Sequence, residues 1–253
     1  MQDERILSAD HADITRHVAI IAEEFRTGFQ AVERVPTPAV AIFGSARLGE
    51  KNPIYAAARD VGCRFADAGW AVVTGGGPGL MEAANRGARE GGGFSAGFNI
   101  QLPHEQDLNP YVDLGVTFGH FYARKTMLVK AAEGFVLFPG GFGTLDEMFE
   151  ALTLIQTGKV LHFPVVLVGG SYWRGLLEWL HEQPLALGTI APEDERLLFL
   201  TDEPQEAVET VVECYREKCA EAPVEPEAEA ASASTSAGQF QEVSTGHFGR
   251  PRE

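Results

Sequence analysis

The sequence predicts a doubly wound α/β domain, in which helices cover both faces of a parallel sheet. Short apolar segments alternate with helical segments of ten or more residues, and this alternation is typical of βαβ crossovers. Residues 39–43, 71–73 and 164–168 are apolar throughout, as expected for strands that are buried on both faces. The 253-residue chain contains 28 glycines, and three glycine-containing turns follow predicted strands. Together these features indicate a Rossmann-like architecture.

The first element is an amphipathic helix within residues 10–33. Apolar residues recur there at steps of three or four, namely Ile14, Val18, Ile21, Phe25, Phe29 and Val32. Two interpretations are open, a helix packed on the main domain and a contact between subunits. Pro36 and Pro38 end the segment, so we predict a separate N-terminal helix over 1–36.

Seven strands are predicted after this helix, each a short run rich in apolar or β-branched residues. They span 39–43, 70–74, 94–100, 115–118, 135–138, 164–168 and 197–200. The first, second and fifth end at Gly44, Gly75 and Pro139, residue types that interrupt strands. The last run is expected to form an edge strand.

Helices are predicted in the stretches between and after these strands. They span 53–68, 79–90, 120–132, 145–157, 172–182 and 204–219. Strands and helices together define a main domain over 37–220, in which no solenoid-type repeat is found.

The last segment, residues 221–253, is rich in Ala, Ser, Glu and Pro and has no apolar period. It cannot bury enough apolar surface to offset the entropy lost on ordering. We therefore predict an acidic, disordered C-terminal tail.

Charge and hydropathy exclude several classes of function. The chain has 20 Lys and Arg against 36 Asp and Glu, a formal net charge of −16, which disfavours general nucleic-acid binding. No run approaches the ~18 apolar residues of a membrane span, and the N-terminus lacks an apolar signal region. Three scattered cysteines suggest no disulfide scaffold, so a reducing, cytoplasmic location is expected.

Three glycine-containing turns follow strands, at the edge of the sheet where α/β proteins bind ligands. They are residues 44–47, 75–79 and 139–144. Glycine lets backbone N–H groups approach a ligand closely, and a following helix N-terminus adds positive potential. Tight turns that need positive φ are the alternative explanation, but three such turns favour a phosphate site.

Familiar nucleotide motifs do not match these turns. A P-loop needs a Lys before its Ser or Thr, whereas Gly143 precedes Thr144. The dinucleotide fingerprint needs a sixth-position Gly, where the second turn has Leu80. NTP hydrolysis and NAD binding are therefore disfavoured, and a mononucleotide fits better. The seven histidines lack metal-site spacing, so no metal is expected.

Four charged residues near these turns are candidates for function. Arg124 and Lys125 fall early in a predicted helix, where basic charge opposes the helix dipole; a solvated surface pair is the alternative. Glu147 could complete a capping box with Thr144, or act on a bound sugar. Glu82 occupies a similar place after the second turn. Spacing alone leaves cap and catalysis equally open.

The motifs of residues 43–47, 75–83, 124–125 and 139–147 resemble the LOG (LONELY GUY) family. Its members are cytokinin riboside 5′-monophosphate phosphoribohydrolases, often labelled lysine decarboxylases. The resemblance covers about 37–215 and implies a hydrolase that uses neither metal nor cofactor. Its expected substrate is a small-molecule nucleoside monophosphate, an adenosine 5′-monophosphate that is often N6-substituted. Cleavage of the N-glycosidic bond gives the free base and ribose 5-phosphate, which is cytokinin activation or AMP nucleosidase activity.

The resemblance also implies residue roles and assembly. Arg124 and Glu147 would form the catalytic pair. The nucleotide would be bound by Arg47, Glu82, Lys125, Gly140, Gly141, Gly143, Thr144 and Thr153. Asp146 stands where the family often has Glu, and longer members form dimers or hexamers, so a homo-oligomer is expected.

Two rival functions are open. A pyridoxal phosphate-dependent decarboxylase would need a Schiff-base lysine, for which Lys125, Lys130 and Lys159 are the candidates. A non-catalytic nucleotide-binding protein would bind AMP and release no adenine.

Overall fold

The computed structural model describes residues 11–36, 38–102, 107–161 and 163–221. The chain divides into two units, Met1–Ala220 and Glu221–Glu253. The predicted disordered tail lies outside the described residues, apart from the end of the last helix. Among the residues described, no helix is both long enough and apolar enough to cross a membrane.

Seven strands alternate with helices along the chain, as the sequence predicts. The strands are β1 (Ala39–Phe43), β2 (Ala71–Thr74), β3 (Ser95–Ile100), β4 (Leu114–Phe118), β5 (Phe135–Leu137), β6 (Val165–Val168) and β7 (Leu198–Thr201). The α-helices are α1 (His11–Val32), α2 (Pro53–Asp67), α3 (Leu80–Glu90), α4 (Phe121–Ala131), α5 (Phe142–Gln156), α6 (Gly170–Leu180) and α7 (Pro204–Glu221). The start of α5 differs most, since it begins at residue 142 instead of 145.

All seven strands are parallel and lie in the order β4-β3-β2-β1-β5-β6-β7. β1 is flanked by β2 and β5, with Ala41 in register with Val73 and Phe135. The chain therefore winds outward in one direction from β1 to β4 and in the other from β5 to β7. This confirms the doubly wound fold, and the reversal between β1 and β5 is where such sheets open a ligand crevice.

Helices cover both faces of the sheet, because alternate strand residues point to opposite sides. Val40 and Ile42 of β1 join a core with α2, α3 and α7. Ala41 and Phe43 join a second core with α1, α4, α5 and α6. We refer to these as the α2–α3–α7 layer and the α1–α4–α5–α6 layer.

The N-terminal helix packs on the domain, so the first interpretation of its apolar stripe is confirmed. A Cβ on Gly28 would lie only 2.5 Å from Cγ of Met127, which shows how closely α1 approaches α4. Ile14, Val18 and Phe29 nevertheless stay exposed. The second interpretation, a contact between subunits, therefore remains a prediction.

Candidate active site

A cleft of about 950 Å³ opens beyond the carboxyl ends of the central strands. Its walls come from residues 43–48 after β1, Gly75 after β2 and residues 139–145 after β5, with Arg124 of α4 and Tyr172 of α6. The volume lies within the usual range for small-molecule sites. The cleft is therefore the default candidate for a binding site.

The turn between β5 and α5 offers backbone donors to this cleft. α5 begins at Phe142, and no side chain caps it at Gly141. The first N–H groups of a helix have no partner within the helix, and a helix N-terminus attracts anions. A Cβ on Gly141 or Gly143 would meet no atom within 4 Å, so the backbone there is open to a ligand. This turn can receive a phosphate.

The capping-box interpretation of Thr144 and Glu147 is wrong. Because α5 begins at Phe142, Thr144 already lies inside the helix, and its N–H donates to the carbonyl of Gly141 at 3.0 Å. Glu147 lies a turn further along and is 1% exposed, so it cannot cap an exposed helix end. The extended backbone of Gly141 supplies the N-cap position without a side chain. The burial of Glu147 thus needs another explanation.

The second glycine turn is packed rather than open, contrary to the expectation that it would share in a phosphate cradle. The N–H of Leu80, at the start of α3, donates to the carbonyl of Ser45 at 3.0 Å. Gly79 has a φ of +70°, and a Cβ there would lie 2.5 Å from that carbonyl oxygen. The first N–H of α3 is therefore paired with the first turn. Within the second turn, Gly75 is the residue that lines the cleft.

A buried polar network that sequence reasoning missed holds this second turn. Nδ2 of Asn109 donates to the carbonyls of Gly76 and Gly77, each at 3.1 Å, and to Oδ1 of Asn85 at 2.9 Å. The hydroxyl of Thr74 donates to the same Oδ1 at 2.6 Å. The network members come from separate segments, so no spacing marks them. The polar residue Thr74 at the end of an apolar strand was the sequence feature that could have indicated this network.

Arg124 and Glu147 lie together, one from α4 and one from α5. Nη2 of Arg124 is 3.6 Å from Oε1 of Glu147. Among the described residues, Nε of Arg124 and Oε2 of Glu147 are buried without a hydrogen-bond partner. A Cβ on Gly75 would lie 4.0 Å from Nη2, so Arg124 faces the cleft beside the second turn. Unsatisfied buried polar atoms carry a free-energy penalty and commonly mark functional sites.

Burial perturbs both members of this pair. Burial raises the pKa of Glu147 to about 7, although the positive charge of Arg124 opposes the shift. Burial likewise lowers the pKa of Arg124, against the attraction of Glu147. Glu147 therefore changes its charge close to neutral pH, which suits a group that handles protons or developing charge.

The remaining predicted site residues fall into two groups. Arg47, Gly140, Gly141, Gly143 and Thr144 line the cleft. Lys125, Glu82 and Thr153 are not among its lining residues, and of the Arg124–Glu147 pair only Arg124 is.

Lys125 turns toward α5 instead of the cleft. Its Nζ is 3.0 Å from Oδ1 of Asp146 and also contacts Glu150. Burial lowers the pKa of Lys125, but the two carboxylates outweigh burial and raise this pKa above its ordinary value. The side chain therefore bridges α4 and α5 as a cation.

Glu82 and Thr153 are held elsewhere. Oε1 of Glu82 accepts a hydrogen bond from the hydroxyl of Tyr55 at 2.9 Å, so this side chain points toward α2. Thr153 donates to the carbonyl of Phe149 at 2.7 Å and lines a separate cavity of about 310 Å³. It lies nine residues after Thr144, which is about 14 Å along the helix. In the part of the chain that the structure describes, neither Glu82 nor Thr153 lines the cleft.

Comparison with known families and proteins agrees with the expected family. Residues 81–211 match the family described as possible lysine decarboxylase. A probable cytokinin riboside 5′-monophosphate phosphoribohydrolase of Oryza sativa subsp. japonica is 30% identical over 169 residues, which are 63% of this chain and 65% of the relative. The cytokinin riboside 5′-monophosphate phosphoribohydrolase of Mycobacterium tuberculosis is 30% identical over 154 residues, which are 60% of this chain and 81% of the relative.

Solved structures share the fold. The X-ray structure of the protein TM1055 aligns with a TM-score of 0.52 at 25% identity, covering 70% of this chain and 99% of that one. The molybdenum cofactor carrier protein of Chlamydomonas reinhardtii aligns with a TM-score of 0.54 at 24% identity, covering 71% and 99%. At this identity the carrier protein supports the fold alone.

Proposed function

We propose that this chain, which belongs to the LOG family, is a hydrolase that cleaves the N-glycosidic bond of adenosine 5′-monophosphates. The substrate would be AMP or an N6-substituted AMP, and the products would be the free base and ribose 5-phosphate. Relatives named as phosphoribohydrolases support this type of activity, at about 30% identity. We further propose Arg124 and Glu147 as the catalytic pair.

The buried pair of Glu147 and Arg124 is the observation that carries this proposal. Glu147 shares a face of α5 with Gly143 and Thr144, which line the cleft, because residues three and four apart are neighbours on a helix. Cleavage of a glycosidic bond builds positive charge on the sugar, and a carboxylate stabilises that charge or orients the attacking water. Glu147 has a free carboxylate oxygen for this task.

The substrate's two ends would be held by different groups. The first-turn N–H groups of α5 would bind the 5′-phosphate, where Gly141 and Gly143 leave the backbone open. Arg124 would fix the phosphate or the ribose and assist the departing base, and Arg47 would add positive charge at the edge of the cleft. Positioning of this kind supplies the near-attack geometry that a hydrolytic step needs.

The decarboxylase alternative fits the cleft poorly. Among the described residues that line it there is no lysine to form a Schiff base. Lys125 is held as a cation by two carboxylates, whereas a nucleophilic amine must be neutral. Lys130 and Lys159 are exposed and lie outside the cleft.

A non-catalytic nucleotide carrier is the second candidate. The molybdenum cofactor carrier proteins share the fold, so the architecture alone does not require catalysis. A pure carrier would have no need of a buried carboxylate that titrates near pH 7 beside an arginine. Base release separates the two functions.

Assembly into a homo-oligomer is also proposed. Large apolar side chains stay exposed on α1, α4, α5 and α6. Such exposed apolar residues favour contacts between copies of a chain. The cytoplasmic location remains a prediction from the sequence.

Chromatography of the free base after incubation with AMP or isopentenyl-AMP tests the function directly. We expect the wild-type protein to release base and Glu147→Gln to lose about 100-fold or more in kcat, because general acid–base groups contribute that much. Glu150→Gln, one turn further along α5, is the matched control and should keep most of the activity. Circular dichroism shows whether the variants fold.

Three results would point elsewhere. AMP binding without base release in the wild type would identify a carrier. A pyridoxal absorbance band would identify a decarboxylase. Base release by Glu147→Gln near the wild-type rate would reject the catalytic assignment.

A further inference from the structure

Glu24 of α1 reaches the start of α4, a helix that follows it by almost a hundred residues. Its Oε1 accepts a hydrogen bond from the N–H of Gly119 at 3.1 Å, and its Oε2 accepts one from the N–H of His120 at 3.2 Å. Oε1 is also 3.0 Å from Nδ1 of His120. A carboxylate can only accept, so this ring nitrogen carries the proton. One side chain thus holds three donors of the turn before α4.

The contact with Glu24 caps the start of α4, which has no capping side chain of its own. His120 occupies the N-cap position, and its side chain makes no cap hydrogen bond. α4 has no acidic residue in its first turn and carries Arg124 and Lys125 close to its start. Negative charge is favourable at a helix N-terminus and positive charge is not. The carboxylate of Glu24 supplies the missing negative charge from a different helix.

The contact is closely fitted. A Cβ on Gly119 would lie 2.8 Å from Oε1 of Glu24, so a larger residue at 119 would require the carboxylate to shift. His120 is 5% exposed. The centroid of its ring lies 5.3 Å from that of His17, in a T-shaped arrangement, and 5.1 Å from that of Tyr122, which stacks on it. Packing on both sides therefore keeps His120 in one orientation.

A short chain of contacts leads from this anchor to the cleft. The carbonyl of His120 accepts the N–H of Arg124 at 3.3 Å, which is the first helical hydrogen bond of α4. The guanidinium of Arg124 then lies 3.6 Å from Glu147. A shift in the start of α4 would therefore move Arg124 relative to the carboxylate beside it.

We propose that Glu24 is a positioning residue, which anchors the start of α4 and thereby sets where Arg124 stands in the cleft. This inference rests on the proposed function, since it gives α1 a part in the same site. It makes the N-terminal helix a support of the catalytic pair in addition to a packing element.

The variants are Glu24→Ala, which removes every acceptor, and Glu24→Gln, which keeps one acceptor oxygen. The matched control is Glu23→Ala on the same helix, because Glu23 is exposed and pairs with Arg26 in solvent. Each change is made in the wild-type protein and in Arg124→Ala. AMP affinity by calorimetry, base release, and hydrogen exchange at residues 119–125 are measured for each.

We expect Glu24→Ala to speed hydrogen exchange at the start of α4 and to lower kcat by about 10- to 100-fold, since a misplacement of about 1 Å has effects of that size. The exchange rate and kcat of Glu24→Gln should lie between those of Glu24→Ala and the wild type. Glu23→Ala should match the wild type in both. Glu24→Ala should also weaken AMP binding. This loss of affinity should disappear in Arg124→Ala, because the effect acts through that residue.

Unchanged exchange at 119–125, or an equal loss of AMP affinity with and without Arg124, would overturn the positioning role. A lower melting temperature with unaltered kcat and affinity would also overturn it, since that is the signature of a purely structural contact. Failure of the proposed function has a different signature, because the wild type itself would then release no base. In that case exchange at α4 and the Arg124-dependent AMP affinity still decide the role of Glu24.

Discussion

Glu147 is a carboxylic acid whose charge is set by competition between burial and a neighbouring cation. Burial favours the neutral acid and raises its pKa from 4.5 to about 7, while Arg124 at 3.6 Å favours the ionised form. Burial is the larger effect. If the ionised form stabilises charge on the sugar, as we propose, then protonation below neutral pH removes the catalyst.

We therefore predict that kcat/KM for AMP rises with pH between about 5.5 and 8, with an apparent pKa near 7. The pH profile of kcat/KM reports groups of the free enzyme, so a rate series at saturating and limiting AMP measures it. The second ionisation of the substrate's phosphate, with a pKa near 6, could produce a similar rise. A measurement without substrate is needed to separate the two.

The pH dependence of the free energy of unfolding is that control, because it is measured without substrate. The pKa of Glu147 is higher in the folded protein than its ordinary value of 4.5, so the folded state holds this proton more tightly than the unfolded chain does. Stability from this group is therefore full at low pH, falls as the pH rises from about 4.5 to about 7, and is constant above. Relative to wild type, Glu147→Gln should gain about 2.5 kcal/mol of unfolding free energy between about pH 5 and pH 8. A pH-independent difference in urea unfolding would contradict this.

At the scale of single residues, the sequence itself predicted the glycine turn that lines the cleft, whereas the pairing of Arg124 with Glu147 was expected only from the family resemblance. Spacing alone left Glu147 divided between cap and catalyst, because the start of α5 was placed three residues too late. Asn109 and Glu24 were missed for a different reason. Their partners lie 24 and 96 residues away along the chain, and nothing local marks such contacts.

The turn from β5 into α5 is the element on which the proposed phosphate binding depends. Gly143 lies in the first turn of the helix, and a Cβ there would meet no protein atom within 4 Å. Alanine should therefore fit the free protein, and it favours helix more than glycine does. A bound phosphate, however, would have to approach the space that the new methyl group fills.

We predict that Gly143→Ala keeps or slightly raises the melting temperature and weakens AMP binding by about tenfold or more, the equivalent of one lost charge-assisted hydrogen bond. The matched control is Gly175→Ala in α6, which is also exposed and free of contacts within 4 Å, and which should leave affinity unchanged. Calorimetric titration with AMP and thermal unfolding measure both effects. Unaltered AMP affinity in Gly143→Ala would exclude this turn as the phosphate site.

Elements were easier to predict than their ends. Strands β1 and β6 are apolar throughout, β2 is apolar up to Thr74, and helices such as α2 have a clear length and N-cap, so apolar runs and capping identify them locally. The start of α5 was placed too late because Gly141 and Gly143 are poor helix formers. In the structure the helix nevertheless begins between these two glycines, at Phe142. The packed second glycine turn was also unpredictable, because its conformation depends on Asn109 from a distant segment.

The whole molecule has an unequal distribution of exposed apolar side chains. Every large apolar side chain that is exposed on a described helix belongs to the α1–α4–α5–α6 layer, namely Ile14, Val18, Phe29, Phe121, Tyr122, Phe142, Phe149, Tyr172 and Trp179. The described helices of the α2–α3–α7 layer expose none. A net charge of −16 would keep copies of the chain apart unless apolar contact outweighs the repulsion. The asymmetry therefore indicates which layer would form contacts between copies.

We predict that the protein self-associates through the α1–α4–α5–α6 layer, as a dimer or a larger assembly. Val18→Lys and Phe149→Lys place a charge on exposed apolar positions of α1 and α5 and should shift the sedimentation coefficient toward the monomer. Ala56→Lys is the matched control, since it adds the same charge to an exposed position of α2 in the opposite layer. A monomeric wild type would refute self-association, and dissociation by Ala56→Lys alone would place the contact on the other layer. A stable contact buries about 800 Å² on each copy, so one added charge near its centre is enough to weaken it measurably.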